Sequence, residues 1–212
     1  MSAESESSRS PRRLLWTPVG LLVAGLAVMW GIELVDSVLL DGGLDGNGLR
    51  PRERSGIDGI VWAPFLHADL GHLASNSVPL LVLGGLVAMR GMRYWAWVTV
   101  TSVVLGGGLT WLFAGGGVHI GASGVVFGYF GAVIGAAVFE RRLLPVAAAA
   151  VALVLYSGIV AGLVPQDAVS WEGHLFGVIA GVVAARVLAV PADDRSDAAA
   201  AVAASPDEPW RS

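Results

Sequence analysis

A serine hydroxyl becomes a nucleophile only when a base lies within hydrogen-bond reach. This chain has one serine between glycines and four histidines that could supply the base. Ser123 sits in Gly121-Ala122-Ser123-Gly124, and the histidines are His67, His72, His119 and His174. His72 and Asn76 are one helical turn apart, so in a helix both side chains face the same side and could donate to a developing oxyanion. Other hydrolytic chemistries fail on residue type. The 212 residues contain no cysteine, which removes thiol nucleophiles and thiolate metal sites. There is no HExxH zinc motif and no pair of aspartates within apolar stretches.

The elements that must position these residues are membrane helices. Hydrophobic residues make up 55% of the chain and charged residues only 14%, with 29 glycines and a mean hydropathy of +0.68. Water-soluble domains carry about 25% charge, so this composition is that of a bilayer protein. Six apolar stretches, at 14–35, 72–89, 94–114, 120–139, 143–164 and 174–190, predict an all-α, six-transmembrane-helix bundle over residues 14–190. Residues 1–13 and 191–212 are polar or Ala/Asp/Ser-rich and are expected to be disordered tails. The first apolar run exceeds a signal peptide's core and is read as an anchor. All thirteen basic residues are arginine. Arg9, Arg12, Arg13, Arg90, Arg93, Arg141, Arg142, Arg186 and Arg195 fall on one side, against Arg50, Arg52 and Arg54 on the other. Both termini are therefore expected in the cytoplasm, in the cell membrane. A net charge of −4 without a basic patch argues against a nucleic-acid partner.

With that orientation, the second, fourth and sixth stretches start at the outer face, and each opens with polar groups: His72 and Asn76, Ser123, and His174. Intramembrane polar residues are costly and mark function. Gly124 and Gly128 on one stretch and Gly177 and Gly181 on another form small-xxx-small stripes that let helix backbones approach closely. Such a crossing would bring Ser123 Oγ to a His174 ring nitrogen, leaving His72 and Asn76 as oxyanion donors. Helix packing without chemistry is the better account of any one of these residues taken alone. It does not account for four polar groups at one depth.

The segments from His67 to Asn76, from Gly121 to Gly124 and from His174 to Gly181 resemble the rhomboid family of intramembrane serine proteases. The similarity extends in order to about Val190. It implies that Ser123 is the nucleophile and His174 the general base and acid. It also implies that the Ser123 N–H, His72 and Asn76 form the oxyanion hole, with Gly121 in the same oxyanion and substrate-binding set. No cofactor or metal is implied; the partners would be transmembrane protein substrates and membrane lipid. Two departures stand out. Phe127 replaces a common tyrosine one turn after the serine, leaving an apolar ring to support the histidine, and the first loop, 41–71, lacks a Trp-Arg pair that many bacterial members carry.

The remaining polar residues read as structural. His67 is expected to hydrogen-bond within its loop and His119 to cap or bond locally. Glu33 and Asp36 are expected to serve as hydrogen-bond partners at the end of the first stretch. Glu172, only two residues from His174, should point away from it, and neither it nor Asp167 is taken as a third catalytic member. Pro79 predicts a local kink beside Asn76. The apolar piece 57–66, too short to cross, is expected to lie along the membrane surface. The rival reading is a catalytically silent relative that binds transmembrane helices. A transporter would show internal repeats or charged midplane residues, and neither is present.

Overall fold

The computed structural model describes residues 17–166 and 169–189. The expected tails, 1–13 and 191–212, and Asp167 lie outside the described residues, as do Arg9, Arg12, Arg13 and Arg195. Among the described residues the fold is all-helical, with one isolated bridge and no strand. The described residues form eight α-helices: α1 Pro18–Val35, α2 Gly59–Trp62, α3 Leu70–Ala88, α4 Met92–Thr101, α5 Gly107–Phe113, α6 Ser123–Glu140, α7 Leu143–Leu155 and α8 Trp171–Leu188.

Among the described residues five helical units are long and apolar enough to cross a bilayer: Pro18–Leu40, Leu70–Ala88, Met92–Phe113, Ser123–Glu140 and Trp171–Leu188. The first starts at an N-cap, Thr17 Oγ1 accepting from Gly20 N at 3.1 Å, with Pro18 at the helix start. It outlasts the expected end at residue 35 through a wide turn, Asp36–Leu40, and stops where Asp41 turns left-handed. The third joins α4 to α5 through a similar wide turn, Ser102–Gly106. The fifth of the six expected spans, 143–164, is not one long helix. It is the 13-residue α7 followed by a 3₁₀ segment, Ser157–Leu163. At about 1.5 Å per residue α7 is roughly 20 Å long, short of a hydrocarbon core of about 30 Å. Pro79 lies inside an uninterrupted α3.

The central element is α6, of which 67% is buried, against 17% to 33% of the other four spans. Its most extensive pairing is with α8, and glycines make that pairing possible. A Cβ on Gly177 would overlap the Gly124 carbonyl, one on Gly181 the Gly128 carbonyl, and one on Gly131 the Val178 backbone. The α6–α8 interface is thus backbone against backbone, as the small-xxx-small stripes require. On its other flanks Tyr129 Oη meets Thr99 Oγ1 at 2.8 Å, and Gly128 accommodates Ser102. Trp30 Nε1 donates to Ser77 Oγ at 3.1 Å, tying α1 to α3.

The 41–71 loop is folded back onto the bundle end where α6 and α8 begin. Leu49 and His119 exchange backbone hydrogen bonds at 2.8 and 3.0 Å. Arg52 Nη1 donates to the Ala114 carbonyl at 2.7 Å, and Trp111 Nε1 to the Glu53 carbonyl at 3.0 Å. An arginine and a tryptophan from separate elements therefore pin this loop. Within 57–66, Ile57, Val61 and Trp62 are exposed while Ile60 lies against Gly107. Glu33 and Asp36 are buried and occupied, accepting from Ser37 Oγ at 2.6 Å and from Leu44 N at 3.0 Å.

Leucine at Gly177 or Gly181 is expected to force α6 and α8 apart and to lower stability by about 1–3 kcal/mol, as overpacked cores do. Gly31, on α1 with open space around its Cα, provides the control: Gly31→Leu should leave the unfolding midpoint in detergent unchanged.

Candidate active site

Ser123 is the first residue of α6, preceded by Ala122 and by Gly121 at φ +112. That backbone conformation is one L side chains rarely adopt, and here space forbids one as well. A Cβ on Gly121 would come within 2.9 Å of His72 Nε2. The turn is held from outside by two bonds: Gly121 N donates to the Ala63 carbonyl at 2.9 Å and Ala122 N to His67 Nε2 at 3.2 Å. At position one of a helix, the Ser123 N–H has no intrahelical acceptor and sits at the positive end of the α6 dipole.

His174 lies in the first turn of α8, where the glycine-mediated crossing brings it to Ser123. The Nε2–Oγ distance is 2.8 Å. Its other nitrogen, Nδ1, is 2.8 Å from the carbonyl oxygen of Gly162. A carbonyl only accepts, so Nδ1 carries the proton and Nε2 presents its lone pair to the Ser123 hydroxyl. This is the tautomer a general base requires. Phe127 completes the setting: its ring is stacked on the imidazole, with centroids 4.1 Å apart and planes 9° from parallel. The ring fixes the plane of His174 and the carbonyl fixes its rotation within that plane.

His72 and Asn76 are on α3. The Ala68 N–H donates to His72 Nδ1 at 3.4 Å, which leaves Nε2 as the protonated nitrogen, and this edge faces Gly121. Asn76 is buried, and its Nδ2 donates to the His72 carbonyl at 2.9 Å, leaving a second amide hydrogen uncommitted. The structure thus brings Ser123, His174, Gly121 and Phe127 into one cluster, with the His72 ring at its edge, and it records no direct contact of Asn76 with Ser123. A small cavity of about 60 Å³, lined by Ser123, Gly121, His174 and the polar side chains of Thr110, His119 and Ser170, opens beside the hydroxyl. It holds room and hydrogen-bond partners for water.

Glu172 points away from His174 and accepts from Gly115 N at 3.0 Å. His119 has a local contact, Nε2 to the Gly115 carbonyl at 3.3 Å, but its shorter bond is not local: Nδ1 meets Ser170 Oγ, just before α8, at 2.5 Å. Two contributors carry no sequence signal of their role. Gly162 acts through its backbone, and only its small size, with a Cβ coming within 3.0 Å of both His174 Nδ1 and Phe127 Cζ, hints at the crowding there. His67 reads as a loop hydrogen-bonder, and its partner, the Ala122 N–H, belongs to the serine's own turn. Burial, reinforced by the neighbouring His72, lowers the His67 pKa from 6.5 to about 4, with the Phe65 carbonyl opposing. Among the described residues no cluster of three metal-ligating side chains occurs.

The sequence model of the Rhomboid domain matches residues 56–191. An uncharacterized protein of Mycobacterium tuberculosis is 37% identical over 196 residues, covering 87% of this chain and 81% of that protein. An uncharacterized protein of Mycobacterium leprae is 39% identical over 191 residues, 85% of this chain and 75% of its own. A chloroplastic rhomboid-like protein of Arabidopsis thaliana is 32% identical over 143 residues, 58% and 50% of the two chains. No solved structure matches.

Two outcomes follow from this geometry. Phe127→Tyr retains the stacked ring and should leave the His174 orientation intact. Phe127→Ala frees the imidazole, and misplacement of a reacting group by about 1 Å costs on the order of 10²-fold; labelling of Ser123 by a fluorophosphonate probe reads both. The second concerns pH. His67 is held neutral in the fold, so its contribution to stability is complete above pH 6.5 and is lost as pH falls from 6.5 toward 4. The detergent unfolding midpoint should drop between pH 7 and pH 5.5, and His67→Gln should flatten that drop.

Proposed function

Because the chain belongs to the rhomboid family, we propose that it is an intramembrane serine endopeptidase, cleaving peptide bonds in or beside the transmembrane segments of other membrane proteins. The observation that carries the reading is the 2.8 Å contact between Ser123 Oγ and an Nε2 whose opposite nitrogen is tied to the Gly162 carbonyl. Ser123 Oγ attacks the scissile carbonyl carbon while His174 Nε2 takes its proton. The carbonyl oxygen, now negative, is received by the Ser123 N–H at the α6 N-terminus and by donors from His72 Nε2 and Asn76 Nδ2. His174 returns the proton to the leaving amine as the C–N bond breaks. A water from the adjacent cavity, deprotonated by the same imidazole, then releases the acyl group and restores the serine. The chemistry uses no metal and no cofactor.

The arginine distribution favours cytoplasmic termini and a site near the outer face of the cell membrane. Arg90, Arg93, Arg141, Arg142 and Arg186 gather at one end of the bundle, and of the three at the opposite end, Arg50 and Arg52 are engaged with backbone carbonyls. A helix hides its scissile carbonyls in i to i−4 bonds, so the substrate must enter this wet mouth locally extended. The alternative, a silent binder of transmembrane helices, would place no demand on the orientation of His174, whereas here ring and carbonyl both constrain it.

The deciding measurement is cleavage of a reporter transmembrane substrate by the protein in liposomes. Ser123→Ala and His174→Ala should each lower turnover by about 10⁴-fold or more while leaving the protein folded and inserted. His72→Ala and Asn76→Ala should retain weak activity, lower by about 10²- to 10³-fold. Wild-type protein that binds but does not cleave would establish the silent binder.

A further inference from the structure

At the opposite end of the bundle from Ser123, the helices leave a cavity of about 760 Å³. Its walls are apolar: Leu86 and Val87 from α3, Val133 and Ala136 from α6, and Leu144 and Ala148 from α7. Its end is polar. Arg90 pairs with Glu140 and lies over the Tyr94 ring, 4.1 Å from its centroid. Tyr94 is only 8% exposed, and its hydroxyl is buried without a hydrogen-bond partner. Arg142 also lines the cavity. The only acid there, Glu140, is already paired, so Arg142 has no ion-pair partner among the described residues. Arg93 and Arg141, next to these elements in the chain, add positive charge at the same level.

We propose that this cavity is a binding site for one anionic phospholipid, with an acyl chain between α3 and α7 and the phosphate at Arg142. Charge fixes the sign of the ligand: an apolar slot ending in excess arginine suits a negative headgroup, and basic pockets between transmembrane helices bind such lipids. The apolar walls from α3, α6 and α7 suit an acyl chain, which lies extended between them without moving the helices. The phosphate oxygens accept from the Arg142 guanidinium, and the ester region lies at the level of the unpartnered Tyr94 hydroxyl. The inference rests on membrane embedding alone and is independent of the peptidase reading.

The test is native mass spectrometry of the protein taken from nanodiscs containing equal parts phosphatidylglycerol and phosphatidylcholine. The wild type is expected to retain one phosphatidylglycerol in preference to phosphatidylcholine. Arg142→Ala should reduce that preference about fivefold, the worth of one arginine at an anionic surface, and Arg142→Lys should keep most of it. Ala147→Phe, which fills the slot from an exposed position, should lower retention of both lipids with circular dichroism unchanged. Equal retention of the two lipids by the wild type, or an unchanged preference in Arg142→Ala, overturns the proposal. So does photocrosslinking from position 147 that captures a transmembrane peptide in place of lipid.

Discussion

Contact between the α6 and α8 backbones is the constraint on which the rest of the site depends. Ser123 and His174 are each in the first turn of their own helix, and the span between them in sequence gives no local means of bringing them together. What does so is the absence of side chains at Gly131, Gly177 and Gly181, which lets carbonyls of one helix occupy the space where a Cβ of the other would be. In lipid there is little hydrophobic gain in bringing two apolar helices together, so close packing of this kind is the force available. The hydrogen bond at the mouth is a consequence of fit along the whole crossing.

Once the helices are fixed, the remaining freedom is rotational, and it is removed from two directions. The Phe127 stack sets the plane of the imidazole, and the Gly162 carbonyl sets which nitrogen bears the proton. On the serine side, the turn preceding α6 is held by Ala63 and His67, residues on the far side of a loop that also pairs with His119. A loop of irregular outline thus has a definite function, because it supplies acceptors for N–H groups of the turn that presents Ser123.

Much of this is legible in the sequence. Hydropathy locates five spans to within about a turn, because an apolar run of the required length is seldom stable anywhere but in a bilayer. Helical spacing places Phe127 beneath Ser123, and the glycine stripes announce a close crossing. What stays hidden has physical causes. The stretch 143–164 is apolar throughout, so hydropathy does not distinguish one long helix from α7 followed by a 3₁₀ segment; that difference lies in backbone hydrogen bonding. The wide turns at Asp36–Leu40 and Ser102–Gly106 leave no mark on apolar periodicity. Gly162 is invisible because its contribution is a backbone oxygen, which every residue has. For His67 the residue type indicates the right kind of interaction, but its partner lies far along the chain, and residue type alone does not name a partner.

The Gly162 carbonyl also bears on how such a site is inherited. Where an acid side chain orients a base, one codon change removes it, and the loss shows in any survey of variants. A main-chain oxygen has no codon of its own. Its presence is set by the course of the segment between α7 and α8, so many combinations of residues preserve it and damage arises only through changes that redirect the chain. Variants with Ser123 and His174 intact can therefore lose the orientation of the base through distant substitutions in that connection. The reverse also holds: outside Gly162 itself, where a Cβ would come within 3.0 Å of His174 Nδ1 and Phe127 Cζ, this connection is free to diverge in sequence as long as its path continues to deliver one oxygen to one nitrogen.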